Sequence, residues 1–331
     1  MRPDALKKSA EQHKAVFLHS GWRCASTYVW SRFRRNSSTT SFYEPFGENL
    51  ARSSPKRIQR QTVKGWNSRH PPLALPYAQE YCPLHRPFFK GVPGYRREFA
   101  LARYFPTEAG VGPEIRYLSR LIGYARTRST SPVLGFSRSL ARAAALKHAL
   151  GGYHIVLRRD PLQQWLSCRS YRTEVSLSYF ELCHFMVLAL APSDSPAGRF
   201  GRLLGLPDLP RGLKRQFERL HTAIHPWSDE LSFRAFIAVL LLSHATAEPI
   251  ADFVLDIDRL GSSKRYREAA RARILTDVGL RIDFDDCKVP RHDPRVAEVD
   301  FAAVERDVSR QLVACGADLA PPPYRAIAVG E

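Results

Sequence analysis

The stretch that most constrains this chain is Lys14 to Thr27, KAVFLHSGWRCAST. Ala15 to Leu18 form the short apolar run expected of a parallel strand buried on both faces. His19 to Ala25 break the run with small and polar residues, Gly21 among them. Ser26 and Thr27 then open a segment whose Tyr28, Val29, Trp30 and Phe33 are spaced to face a core from one side of a helix. A strand, a tight turn and a helix start, in that order, make an anion-binding layout. The first N–H groups of the helix have no intrahelical partner, point outward and carry the positive end of its dipole.

The turn is not a Walker A loop, which needs G-x-x-x-x-G-K-[ST]; the chain has S-G-W-R-C-A-S-T. Arg23 stands where a cation in the turn reaches the oxygens of a bound anion. Ser26 and Thr27 add hydroxyl donors to their N–H groups. An ordinary strand-to-helix turn with a solvated arginine fits the same letters, because loose phosphate-loop matches are common. A second stretch has to decide.

That stretch begins at Pro132. Val133 to Phe136 is a second apolar run, Ser139 to Leu150 (SLARAAALKHAL) is strongly helical, and Gly151-Gly152 is a helix stop. Tyr153 to Leu157 (YHIVL) is a third run. Two apolar strands joined by a helix of about a dozen residues predict a parallel β-α-β unit, and so an α/β fold. Parallel sheets bind ligands at the carboxyl ends of their strands. Both runs end in arginine: Arg138 after the first, Arg158 and Arg159 after the second. In RRDPLQQWLS, Arg158 to Ser167, Asp160 and Pro161 are N-cap and first residue of a helix. Arg159 before that helix and Ser167 two turns into it can grip one phosphate from two sides, the guanidinium with a two-pronged contact. The competing reading is a plain helix cap with an arginine pairing to Asp160.

Together the two stretches resemble the PAPS-dependent sulfotransferases, PAPS being 3′-phosphoadenosine 5′-phosphosulfate. Members of that family carry a 5′-phosphosulfate loop at the first strand–helix turn, commonly R-S-G-[ST]-T. Arg23-Cys24-Ala25-Ser26-Thr27 occupies that pattern, with Cys24 in place of Ser and Ala25 in place of Gly, both small enough for backbone to approach an anion. The family's 3′-phosphate motif has Arg, an acid or amide, Pro, and Ser eight positions after the Arg; Arg159, Asp160, Pro161 and Ser167 match it. Glu44, in Y-E-P-F, is similar to the glutamate proposed as base in the carbohydrate and tyrosyl-protein branches. The cytosolic small-molecule branch uses a histidine, so Glu48 or a histidine is the alternative base. The resemblance runs over Val16 to Leu50 and Val133 to Ser170.

What it implies is a three-layer, P-loop-like fold with a central, mainly parallel sheet flanked by helices. It also implies transfer of a sulfuryl group from PAPS to an acceptor hydroxyl of a carbohydrate, glycolipid or small metabolite. Arg23 and Glu44 would be catalytic, and no metal is needed. In this family a late basic loop closes over the nucleotide. By that likeness Lys288 and Arg291 contact the 3′-phosphate, although the family's Arg-Lys-Gly signature is absent here.

The other residues set bounds. A formal charge of +18 permits nucleic acid, an anionic membrane surface or a polyanionic small ligand. No RNP motif, zinc finger or basic helix with heptads selects nucleic acid, which is not expected as a partner. Six scattered cysteines without a C-x-x-C pair predict free thiols in a reducing compartment. The N-terminus is too charged for a signal peptide, and Phe236 to Ser243 is far short of the roughly 20 residues of a bilayer span. The expectation is a cytoplasmic protein without a transmembrane segment.

Asn36 to Ser41 is predicted as a polar loop, and Ala51 to Arg97 as an irregular insertion whose His70 and His85 are structural or exposed. Ser176 to Leu190 and Asp229 to His244 are predicted buried helices, with Cys183 and His184 in core packing. Phe253 to Leu260 (FVLDIDRL) is predicted as a late strand with Asp256 and Asp258 on one face. Lys264 to Val278 and a last helix capped by Asp300 precede a Pro-rich tail from Ala320. The domain expectation is 1–294 for the α/β unit with its 51–97 insertion, and 295–331 for the C-terminal helix and tail. Two rivals share part of the pattern. A P-loop kinase or NTPase needs a loop lysine and a magnesium-binding Asp; a basic nucleic-acid-binding protein needs only a degenerate nucleotide fold.

Overall fold

The computed structural model describes residues 14–60, 73–107, 110–176 and 178–319. His70, the segment before Lys14 and the tail from Ala320 lie outside the described residues. In chain order the elements are β1 (Val16–His19), α1 (Ser26–Arg34), β2 (Thr39–Tyr43), α2 (Pro55–Gln59), α3 (Gly112–Thr127), β3 (Ser131–Phe136), α4 (Ala143–Leu150), β4 (Tyr153–Arg158) and α5 (Pro161–Val175). There follow α6 (Tyr179–Ala189), α7 (Pro196–Leu203), α8 (Leu213–Ile224), α9 (Asp229–Ala247), β5 (Phe253–Asp256), α10 (Ile257–Ser262), α11 (Lys264–Val278) and α12 (Phe301–Ala314).

The strands form one parallel sheet in the order β2-β3-β1-β4-β5. β1 is central, with Phe17 opposite Leu134 of β3 and His154 of β4. Side chains alternate across it. Val16 and Leu18 go to the face covered by Val29, Trp30 and Phe33 of α1 and Ile274 of α11. Phe17 goes to the face covered by Leu118 and Leu121 of α3 and Leu146 of α4. The result is helix, sheet, helix: the three-layer, P-loop-like architecture expected. A further helical cluster draws on α5, α6, α7, α9 and α12, and Trp22 of the turn after β1 is inserted in it. Asp300 caps α12, whose Val304, Val308 and Leu312 join that cluster. α9 is the one described helix long and apolar enough to cross a bilayer by length and composition, and most of it is buried inside the fold.

Close packing of α1 on the sheet depends on Gly135. A Cβ there would lie 2.7 Å from the ring of Trp30, which is fully buried. Any side chain at this position therefore pushes α1 off the strand that carries the site.

Three stretches differ from expectation. Thr39–Tyr43 is an edge strand rather than the end of a polar loop. Its hydroxyls find partners as they are buried: Thr40 Oγ1 bonds Thr130 Oγ1 at 2.6 Å and Thr39 Oγ1 bonds Ser41 Oγ at 3.0 Å. The β3–α4–β4 unit is parallel, but β1 lies between its two strands. Phe253 to Leu260 is strand only as far as Asp256. The Asp256 carboxylate accepts from the Arg259 N–H at 2.9 Å and caps α10. Asp256 and Asp258 therefore share no strand face; Asp258 accepts from the Asp160 N–H at 2.6 Å.

Candidate functional site

The turn after β1 is sharp because Arg23 (φ 64) and Ala25 (φ 52) both take the left-handed conformation. Each costs about 1 kcal/mol in a residue with a Cβ, strain of the kind found where a turn serves a ligand. Ala25 is the N-cap of α1 and offers no side-chain acceptor. Among the described residues the first-turn N–H groups have no side-chain cap. Cys24 turns inward. Its Sγ donates to the Leu157 carbonyl at 3.5 Å, and burial pushes its thiol up to about 12. It is an inert thiol beneath the turn, so only its backbone can meet an anion. Thr27 is buried with Oγ1 3.0 Å from the Tyr43 hydroxyl, and Ser26 is half-buried.

Arg23 is held from two sides. Its Nε donates to Ser167 Oγ at 3.2 Å, and its guanidinium stands 4.5 Å from the ring centre of Tyr171 and 5.2 Å from that of Phe180. Arg159 Nη1 donates to the Arg23 carbonyl at 2.9 Å, and Nη2 to the Pro290 carbonyl at 2.7 Å. Arg159 is 5% exposed, and its Nε is a buried donor with no hydrogen-bond partner. Asp160 caps α5 through the Gln163 N–H at 2.8 Å. Among the described residues Arg159 makes no ion pair with Asp160; it bonds main-chain carbonyls instead.

The late loop reaches the same corner. Besides Pro290, His292 is tied at both backbone atoms to the Gln163 amide, at 3.0 and 2.7 Å. Lys288 and Arg291 on this loop are exposed and make no hydrogen bond or ion pair among the described residues.

A second cluster forms where β2 and β3 end. Glu44 has φ 46, and its N–H donates to the Gly135 carbonyl at 2.8 Å, which curls the chain at the strand end. Its Oε2 accepts from Arg138 Nη1 at 2.8 Å. Arg138 Nη2 lies 3.0 Å from Glu48 Oε2 and donates to the Tyr179 hydroxyl at 2.8 Å, while Tyr179 in turn donates to Glu48. Arg138 also stands 5.8 Å from the ring centre of Trp22, so the turn after β1 touches both clusters.

The two acids diverge. Burial raises the Glu44 carboxyl above its ordinary value, against the pull of Arg138 and Ser137. Burial also pushes Glu48 up, but Arg138 and the Tyr179 hydroxyl outweigh it and hold that carboxyl below the usual range. Glu44 is thus the better proton acceptor of the pair near neutral pH. Five of the histidines are poorly suited to that work. Burial depresses His19, His154, His184 and His244, and His85 is engaged by Ser53 Oγ and the Tyr81 carbonyl, each at 2.9 Å.

The residues picked from sequence thus gather at one edge of the sheet, Arg23 with Arg159 and Ser167, and Glu44 one strand beyond β3. Sequence reasoning marks Arg138 only as an arginine after an apolar run and gives Tyr179 no role. The first has a positional signal in the strand-end rule. The second has none, since it is α6 that carries Tyr179 to Arg138. Among the described residues no group of His, Cys, Asp and Glu side chains forms a metal site. No family model, curated protein or solved structure matches the chain.

Proposed function

We propose that this protein is a PAPS-dependent sulfotransferase acting on an acceptor hydroxyl. The observation that supports it most is the meeting of Arg23, Arg159 and Ser167 at one corner of the sheet's carboxyl edge. The donor set suits a nucleotide with anionic groups at both ends of its ribose. Arg23, Ser26, Thr27 and the first N–H groups of α1 suit the 5′ end. The unpartnered Arg159 Nε and the Ser167 hydroxyl suit a 3′-phosphate, which separates PAPS from ATP. Lys288 and Arg291 add positive charge from the loop strapped over that corner.

PAPS supplies the sulfuryl group. The acceptor oxygen bonds to sulfur as the bond from sulfur to the 5′-phosphate oxygen breaks; the acceptor proton goes to Glu44 and 3′,5′-ADP leaves. Arg23 and the loop N–H groups neutralise charge building on the 5′-phosphate. Glu44 takes the proton, a contribution of about 10²–10⁴-fold. Arg138 orients Glu44, and Glu48 and Tyr179 hold Arg138 in turn. The rest is positioning. The acceptor class is a carbohydrate, glycolipid or small-metabolite hydroxyl. A reducing cytoplasm suits six cysteines that are all free.

Thermal shifts with 3′,5′-ADP, with ATP and magnesium, and with a DNA oligonucleotide test this reading side by side. The bisphosphate should raise the melting temperature and the others should not. A shift with ATP and magnesium alone points to a P-loop kinase or NTPase; a shift with the oligonucleotide alone points to a nucleic-acid-binding protein.

A further inference from the structure

We propose that the segment Arg86–Lys90 docks this protein on an anionic lipid bilayer, and that the acceptor hydroxyl belongs to a glycolipid headgroup. The second half rests on the sulfotransferase reading; the first does not.

The segment is HRPFFKG, His85 to Gly91. Phe88 and Phe89 are 106% and 69% exposed, the reverse of where phenylalanine normally goes. They are held there by a braced turn. The Phe89 N–H donates to the Arg86 carbonyl at 3.3 Å, the Gly91 N–H donates to the Ser53 carbonyl at 2.8 Å, and His85 bonds Ser53 Oγ. A Cβ at Gly91 (φ 84) would lie 2.7 Å from the Ala51 carbonyl oxygen, so the returning chain is pressed against residues 50–53. The turn sets Phe88 at φ 64, a conformation a bulky residue rarely takes.

Charge gathers around the rings. Residues 49–60 and 81–97, joined by those bonds, contain no acid. Arg52, Lys56, Arg57, Arg86 and Lys90 are all exposed, and none pairs with a carboxylate among the described residues. Some arginines elsewhere are matched, as Arg34 is with Glu80 and Arg234 with Asp307. Two apolar rings that enter the boundary between headgroups and acyl chains, inside a collar of unmatched cations, fit an anionic bilayer. A single-strand nucleic-acid site spreads its rings along a groove that follows the backbone; these two are consecutive on one turn. The short helix Glu48–Arg52 joins this tip to the site, since Glu48 is held by Arg138 and Arg52 precedes Ser53. Ser53, whose hydroxyl and carbonyl brace the tip, thus follows Glu48 by five residues in the chain.

Vesicle co-sedimentation of the full chain tests docking without any activity. With about 30% phosphatidylglycerol in phosphatidylcholine and about 0.1 M salt, the protein should bind about tenfold or more tightly than to phosphatidylcholine alone. Phe88→Ser with Phe89→Ser should cut that binding about tenfold and leave the melting temperature unchanged, because both rings are already in water. Arg86→Gln with Lys90→Gln should weaken it and flatten its salt dependence. Equal binding to both vesicles, or undiminished binding by the double-Phe variant, overturns docking. So does a single-stranded oligonucleotide that displaces the protein from vesicles and loses affinity in the same variant. For the acceptor, sulfuryl transfer should be faster to a vesicle-borne glycolipid than to its free sugar, and the double-Phe change should abolish that advantage. Faster transfer to the free sugar overturns the acceptor assignment. Transfer to no acceptor, with vesicle binding intact, overturns the sulfotransferase reading and leaves docking standing.

Discussion

The guanidinium of Arg159 donates to the main-chain carbonyl of Arg23 at 2.9 Å, a bond between residues 136 positions apart. It joins the end of β4 to the turn after β1, and Pro290 on the late loop takes the other nitrogen at 2.7 Å. The arginine is thereby both a brace and a candidate ligand, because its Nε is left without a partner.

Arg159→Ala should weaken binding of 3′,5′-ADP about 10- to 100-fold more than binding of AMP, the scale of one or two charged hydrogen bonds. Titration calorimetry with both nucleotides measures the difference. Equal losses would assign Arg159 to the brace alone.

Glu44→Gln should lower turnover about 10²–10⁴-fold with nucleotide affinity nearly intact, and Glu48→Gln should do so much less. The acid limb of kcat/KM should lie above the ordinary glutamate value of 4.5, since burial raises Glu44. Arg138→Gln removes the cation that holds Glu44 down, so the limb should move to higher pH. Rate profiles on variants shown folded by circular dichroism decide it; an unmoved limb means another base.

Acid should destabilise the fold early. His154 Nε2 donates to the Gly151 carbonyl at 2.9 Å, so its Nδ1 accepts from His19 Nε2 at 2.9 Å, and His19 Nδ1 accepts from Ser139 Oγ at 2.7 Å. That chain requires His154 to be neutral. Burial lowers His19 well below 6.5, with His154, Arg142 and Lys147 adding to the effect. Burial likewise lowers His154 to about 4 and His184 to about 3. Unfolded histidines therefore protonate first, and stability present above pH 6.5 is lost as pH falls toward these values, at about 1.4 kcal/mol per unit for each. Urea unfolding between neutral pH and pH 5 measures the slope. His184→Phe should reduce it by about one proton, and its Nδ1 has no hydrogen bond to lose.

Ala25→Gly should stabilise the protein by about 1 kcal/mol, because glycine enters the left-handed conformation without the Cβ clash. Nucleotide affinity should hold, and Ala25→Val should lower the melting temperature. A loss of stability in the glycine variant would show that the turn is not strained at this position.

The chain's own letters determined what depends on neighbours in sequence. Short apolar runs marked β1, β3 and β4, Asp160-Pro161 marked the start of α5, and Gly279 marked the end of α11. These are local effects of side-chain burial, capping and backbone freedom. Tertiary structure alone decided that β1 enters between β3 and β4, and that the polar Thr39–Tyr43 becomes an edge strand. It also decided that Glu44, Glu48 and Tyr179 converge on Arg138. A buried cation takes whichever acids the fold delivers to it, and which ones arrive depends on strand order and on α6 bringing Tyr179 to Arg138. Spacing along the chain carries no record of that.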